Sequence, residues 1–576
     1  GGTMLGSRLT TGLRRGQSQL SALRRQTTTK ILSSPFFRSR LGGRDVETLA
    51  ISPGRLGSLD CSTQIDLTSG AGFVIHDGAT LDLAGLGLFD FAPPSSRFAA
   101  FASGFAWLDT LRAQRTDDAQ QAMREWTFDW LEGRDRFRSE AREASVAVSR
   151  LRGLLTHADI LLSDAEPEIY DAIILQIIDD LHDAAARWRS CEDGPPRVVA
   201  LITVLLGALA IAESDEMIAR FETLLVGDLA GQIDGDGGPL SRCSSDVLAI
   251  LIDLIPLLRA YAHVDRTPPA ALRNAQARML RYLRTMRLGD MALARFNGVG
   301  AIPNDTLFRV LKLDAGAEAI TGRAVNGYVR FEAADVTLVA DIARAPHIAQ
   351  SRRAHAGCFS FELSDGRDLV LANCGLPGAH PASGPRSRAS VGRATAFHNT
   401  LELGGQSSAS FVASEANASS PADFLSGPAG LTSSATATEG AFHLEGAHDG
   451  YAQSHGLRHA RSVELARDGA SLRGADTLEA PSGRDTLRLA DDVGFAIRFH
   501  LAPGMSIATT GAPNTLELTT PSGRVWSFAS DGPAQAYVEE SQFLASGAAA
   551  IATYQIVLRG LCAGNSRVGW TLTRAD

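Results

Sequence analysis

His398 and Asn399 stand just ahead of an alternating run, Thr400, Leu401, Glu402, Leu403, in the segment RATAFHNTLELGG. An imidazole ordinarily titrates near neutrality, so it can take and return a proton; the same ring can also cap or bridge strands in a core, and both readings stay open here. A second cluster occupies HDGYAQSHGLRHARSVEL, where the Tyr451 phenol has His448, His455 and His459 around it. The spacings H-x6-H and H-x3-H invite a metal reading, but they fall in a loop and strand entry rather than on a helix face. A third set lies in the helical half of the chain. Arg242, in the loop DGGPLSRCSSD, and Arg197, at a helix start, carry guanidinium groups of the kind that grip carboxylate or sulfate in a bidentate fork. Asp236 either caps that loop or pairs with Arg242, and Asn297 lies in RFNGVG, where N-G is first of all a turn signal.

These groups need elements to position them. From about residue 100 to 290 the apolar spacing is helical: Trp126 and Trp130 are four apart, and Ile174, Ile177, Ile178 and Leu181 mark another buried face. Further helices are predicted over Val198–Ala212 after Pro195-Pro196, Met217–Leu229, Asp246–Tyr261 with Pro256 inside, and Pro269–Leu288. Nearly all-apolar helices alternate with amphipathic ones, which suits an inner ring covered by an outer ring. After about residue 320 the period becomes 2. Strands are predicted over Tyr328–Glu332, Val336–Asp341, Cys358–Leu363, Asp368–Ala372 and in seven later segments up to Ala550–Leu558, as an antiparallel sandwich. The stretch Gly404–Thr438, rich in Ser, Ala and Gly, reads as an irregular surface excursion. The expected organisation is a basic arm over 1–45, a helical domain over 46–318 and a β domain over 319–576.

Composition narrows the function classes. The formal net charge is -9, yet residues 1–44 hold nine basic side chains and no acidic one, leaving about -18 on the rest. So acidic a body argues against bulk nucleic-acid binding, which needs a positive footprint. The longest apolar run, Val198–Ala212, is 15 residues, short of the roughly 18 a membrane span wants. Six cysteines without CxxC spacing read as free thiols. There is no GxSxG elbow, no Walker-type loop and no HExxH.

The segments RATAFHNTLELGG, CFSFELSDGRDLVLANCG and HDGYAQSHGLRHARSVEL resemble the C-terminal domain of the heparinase II/III family, and QIDGDGGPLSRCSSDVLAILIDLIPLL resembles a groove-forming loop and helix of its helical domain. The resemblance implies an incomplete α/α toroid followed by an antiparallel β-sandwich, and cleavage of an uronate-containing acidic polysaccharide by β-elimination. In that chemistry donors neutralise the uronate carboxylate as enolate charge develops and a base removes the C5 proton. His398 is then the base or a carboxylate-neutralising group, Arg242 and Arg197 meet substrate anions, and Tyr451 or His459 is a second participant. Asp236, Asn297 and Asn399 fall to substrate binding. The chain departs from the family at Pro239 and Asp246, where a polar residue such as His and the catalytic Tyr are expected. Those departures favour an alternative: a glycan-binding or envelope-associated protein that keeps the fold without the chemistry. No cofactor is implied, although some relatives carry a structural zinc in the β domain. Relatives point to the envelope or periplasm; the opening segment shows no clear signal peptide, so the cytoplasm stays open too.

Overall fold

The computed structural model describes residues 49–575 apart from 52–53, 69–70, 134–139, 141, 315, 378–390, 413–423, 481–492, 548 and 563–565. The basic arm expected over 1–45 lies outside the described residues. The chain divides into two compact units: one of residues 1–55, 63–225 and 256–267, the other of 56–62, 226–255 and 268–576.

The first unit is helical, with a small antiparallel sheet of Gln64–Asp66, Phe73–His76 and Ala79–Asp82. Its helices form where the apolar spacing demands. Pro195-Pro196 open the helix Pro195–Ala210, because a proline's missing N–H costs nothing in the first turn. Every residue from Val198 to Ala210 is buried. Gly207 lets the neighbouring helix Pro167–Arg187 come close: a Cβ there would lie 3.0 Å from a Leu181 methyl. Trp126 and Trp130, one turn apart on Asp117–Gly133, pack edge-on against Trp107 and Phe105 respectively. The buried Arg150 guanidinium is matched by a partner: it grips Asp180 through Nε at 2.8 Å and lies 4.5 Å over the Trp130 ring. No helix among the described residues is long and apolar enough to cross a membrane.

The second unit begins with the loop 231–243 and the start of helix Ser244–His263, adds the helix Ala270–Thr285, and continues into antiparallel sheets. A five-stranded meander runs Ala324–Val325, Tyr328–Ala333, Val336–Asp341, Phe361–Asp365, Asp368–Leu371. An eight-stranded sheet is ordered Leu431–Ala437, Ala441–His448, Arg458–Ala466, Ser471–Glu479, Ser566–Arg574, Val525–Ser530, Thr515–Thr519, Ser506–Thr509. A four-stranded sheet is ordered Gln535–Phe543, Ile551–Cys562, Val493–His500, Leu401–Leu403. Side chains from all three meet in one core that includes Phe361, Phe499, Phe528, Trp526 and Trp570. Phe361 stacks on Trp570 at 5.6 Å, and Gly474, directly across from Trp570, leaves room for the indole: a Cβ would lie 2.1 Å from it.

Two expectations differ from what is observed. The stretch Gly404–Thr438 holds the strands Ser410–Val412, Phe424–Ser426 and Leu431–Ala437. Leu431–Ala437 is an edge strand with almost no buried side chain, so main-chain pairing orders it without an apolar alternation to see. The mostly exposed strand Gln535–Phe543 likewise carries no apolar alternation. All six cysteines are free.

Candidate functional site

The strands and loops of the second unit bring His398, Arg242 and Asn297 into one polar network, although they are far apart in sequence. Arg242, in the left-handed backbone region at φ 59°, turns its guanidinium onto Asp341 at 2.6 Å and onto the carbonyl oxygens of Gly327 at 2.9 Å and Arg344 at 2.8 Å. It lies 4.5 Å over the Tyr328 ring, whose hydroxyl donates back to the Arg242 carbonyl at 2.5 Å. Asn297, also left-handed as the N-G turn predicts, donates to the Tyr328 hydroxyl at 2.6 Å and to Asp341 at 3.3 Å. Its Oδ1 accepts the His355 backbone N–H at 3.0 Å.

His355 and His398 close the network, and fixed donors and acceptors at its ends settle where the protons lie. The Ala394 carbonyl can only accept, so His398 Nδ1 carries a proton and donates at 2.8 Å, which leaves Nε2 as an acceptor. His355 Nδ1–H must therefore donate to His398 Nε2 at 2.9 Å, and His355 Nε2 takes the Gly298 N–H at 3.0 Å. Both rings are neutral and all four nitrogens are used. His398 is 1% exposed, and burial lowers its pKa to about 4; burial, the His398 ring and Arg393 hold His355 well below the usual range. Protonating either ring would turn an acceptor into a donor facing another donor.

The same design recurs in the sandwich. In Arg458–Ala466 alternate residues point inward, so His459 and Arg461 share a row with Val463 and Leu465. Gly450 N–H donates to His448 Nδ1 at 3.1 Å, His448 Nε2–H to His459 Nδ1 at 3.1 Å, and His459 Nε2–H to Asp476 at 2.7 Å. Burial, first, lowers both imidazole pKa values. Asp476 stays ionised: burial pushes its pKa up, but Arg461 and His459 together outweigh that. Arg461 meets both Asp476 oxygens, at 2.7 and 3.0 Å, and spends its remaining nitrogen on the carbonyls of Phe359 and Asn399. Trp570 Nε1–H donates to the same carboxylate at 3.0 Å.

The other expected groups are equally committed. Tyr451 is fully buried and donates to the Leu401 carbonyl at 2.9 Å; burial raises its pKa, so it is a phenol and not a phenolate. Asn399 donates to the Phe361 carbonyl at 2.8 Å and accepts the His500 N–H at 2.6 Å. Asp236 pairs with Arg323 at 2.9 Å, not with Arg242, whose fork faces Asp341. Asp246, buried, accepts from Ser241 at 2.5 Å and pairs with Arg353. In the first unit, Arg197 caps its own loop, donating to Asp193 at 2.9 Å. Tyr328, Asp341, His355, Arg461 and Asp476 were not anticipated. His355 has no telling neighbours in sequence, whereas Arg461 shares its strand parity with two aliphatic residues, which was a legible sign of burial.

A metal does not fit the histidine cluster. His455 does not join the pair, the only lone pairs of His448 and His459 accept N–H groups, and the Arg461 guanidinium already occupies Asp476. Among the described residues no group of three or more His, Cys, Asp or Glu is arranged to hold an ion. What the arrangement does chemically is brace: two neutral imidazole relays and two buried guanidinium–carboxylate pairs tie strands to loops. His398, expected as the base or a carboxylate-neutralising group, is buried and faces His355.

Helices followed along the chain by antiparallel sheets are also the fold of solved heparinase III structures. Residues 322–571 match the family described as "Heparinase II/III-like, C-terminal". A solved heparinase III superposes with a TM-score of 0.64 at 11% identity, covering 87% of this chain and 80% of that one. The heparan sulfate lyase HepC from Pedobacter heparinus, as a mutant, gives 0.59 at 12% identity over 86% and 80%. Among curated proteins, FtsZ-localized protein C of Caulobacter vibrioides (strain NA1000 / CB15N) is 27% identical over 522 residues, spanning 88% of this chain and 87% of its own.

Proposed function

We propose that the protein uses its polysaccharide-lyase scaffold as a binding and assembly module at the bacterial cell envelope, associated with FtsZ-based division structures, and that it does not perform β-elimination. The observation that supports this reading is the His355–His398 pair: His398, the imidazole to which the family resemblance would give the catalytic role, is sealed, neutral and has no lone pair left for a C5 proton. Tyr451 and Tyr328 are buried phenols whose pKa burial raises, so neither supplies the tyrosinate base that elimination needs. The name of the Caulobacter relative supplies the cellular setting. An acidic glycan remains the ligand class that the scaffold suggests.

A second reading, a lyase acting on uronate glycans with a base other than these groups, draws on the names of the structural neighbours, heparinase III and a heparan sulfate lyase. The two part in one experiment. The protein is incubated with a panel of uronate polysaccharides while the ultraviolet absorbance of the 4,5-unsaturated product is followed, and is sedimented with FtsZ polymers in parallel. Co-sedimentation without product is expected. Product formation overturns the non-eliminating reading, and failure to co-sediment overturns the division setting.

A further inference from the structure

The helix Ala270–Thr285 shows solvent a face of one charge sign. Residues 270–289 hold five arginines and no aspartate or glutamate, within a body whose net charge is strongly negative. Leu272, Ala275, Met279, Leu280, Tyr282 and Leu283 are buried, while Ala271, Arg273, Asn274, Ala277, Arg278 and Arg281 are exposed. Helical residues three apart are neighbours, so Arg278 with Arg281, and Arg281 with Arg284, set like charges side by side, which weakens a helix.

Nothing on the chain relieves that repulsion. Among the described residues, Arg273, Arg278 and Arg281 have no carboxylate within 4.0 Å and no acceptor on the guanidinium. Arginines on other helices do find one a turn away: Arg187 pairs with Asp183, and Arg309 with Asp305. Just past the helix end, the half-buried Arg287 guanidinium has Met291 Sδ, at 3.2 Å, as its one hydrogen-bond partner among the described residues. Burial first, then Arg284 and Arg330, lower its pKa, and the nearby Asp290 is held by Arg295 at 2.8 Å. These are cations short of counter-charge.

We propose that the exposed face of Ala270–Thr285 is a docking surface for a short acidic segment of a different protein, whose carboxylates pair with Arg273, Arg278 and Arg281. The length of the row selects this occupant. From Arg273 to Arg284 the helix advances about 16 Å, at roughly 1.5 Å per residue. An extended segment of about five residues, at roughly 3.3 Å each, covers that row and ends with it. Duplex DNA, with a charge about every 1.7 Å, runs past both ends of the row and over an acidic body, which repels it. The guanidinium forks suit carboxylates, which they can meet with two hydrogen bonds each. This inference is independent of the proposed function, since it needs neither a glycan nor FtsZ.

The test uses the whole chain and a fluorescently labelled peptide of six alternating aspartates and glutamates between glycine and serine flanks, read by anisotropy at low salt. Saturable binding is expected, weakened about tenfold by the triple variant Arg273→Gln, Arg278→Gln, Arg281→Gln. Glutamine is about as good a helix former as arginine, so this variant keeps its fold. A control triple variant, Arg367→Gln, Arg473→Gln, Arg567→Gln, removes as many exposed arginines from strands and turns and is expected to bind as wild type does. The proposal is overturned if the peptide does not bind, if the helix variant binds it unchanged, or if the control variant loses it equally. Duplex DNA or a polyuronate that binds this face more tightly than the peptide also overturns it, by naming a longer polyanion as the occupant. So does a dimer in sedimentation analysis that the helix variant abolishes, which names a second copy.

Discussion

Replacing His398 with alanine separates a bracing role from a catalytic one. The substitution leaves the buried His355 Nδ1–H without its acceptor and takes one of two donors from the Ala394 carbonyl, which keeps the Phe397 N–H at 3.0 Å. An unmet buried group costs about 1–3 kcal/mol. The ring also lies against the backbone of Gly357, where a Cβ would come 2.6 Å from its Cδ2, so its removal opens a void beside main chain that has little freedom to collapse. Together these give a loss on the order of 3–5 kcal/mol. Because the chain has two compact units, the assay should report on this one alone: amide hydrogen exchange of Tyr328–Ala333, Phe361–Asp365 and Val493–His500, read by mass spectrometry. A loss of that size lowers protection by roughly two to four orders of magnitude in these strands. Wild-type protection in the variant would refute the reasoning, since a catalytic histidine can be removed at little structural cost.

Acid should destabilise the same unit. An ordinary histidine in the unfolded chain titrates near 6.5, whereas His398 and His500 are held at about 4 and about 3, chiefly by burial. Below the unfolded value the unfolded chain takes protons that the folded chain refuses, so stability falls as pH drops, by about 2 kcal/mol for each of the two between pH 7 and 5. His355, His448 and His459 act in the same direction, while Glu362, pushed up to about 7 by burial, binds its proton in the folded state first and offsets about one histidine. Denaturant midpoints at pH 7 and pH 5 should show the net fall; an equal or higher midpoint at pH 5 counts against the neutral relays. Arg461→Met strands the Asp476 carboxylate and should cost about 3–5 kcal/mol, with Arg461→Lys giving little recovery because an ammonium cannot reach both carboxylate oxygens and two carbonyls at once. Thermal unfolding of the two variants checks this. Gly474→Ala drives a methyl into the Trp570 indole and should lower the melting temperature; a neutral outcome would mean that the two strands can part.

The helices were legible because burial leaves a period: Trp126 with Trp130, and the unbroken apolar run after Pro195-Pro196, appear in the structure close to where the sequence places them. The alternating strands Val336–Asp341 and Ser471–Glu479 were legible for the same reason. Strands held by main-chain pairing alone, such as Leu431–Ala437, carry no such pattern. The candidate site was half legible. His398, Arg242 and Asn297 do join one network, but through His355, Tyr328 and Asp341, which no local pattern singles out. Whether a histidine faces solvent or a core is decided by what covers it. His398 is covered by a ring 43 positions away, a contact that period and spacing cannot express.

The most direct measurement of the central claim is a pH titration of the protein carrying 15N-labelled histidine, with His398 assigned by its absence in His398→Gln. A neutral ring protonated at Nδ1, unchanged down to about pH 5 and unaffected by uronate oligosaccharides, is the predicted result. Titration near 6.5, or a shift of the His398 signals when the sugar is added, would contradict the account.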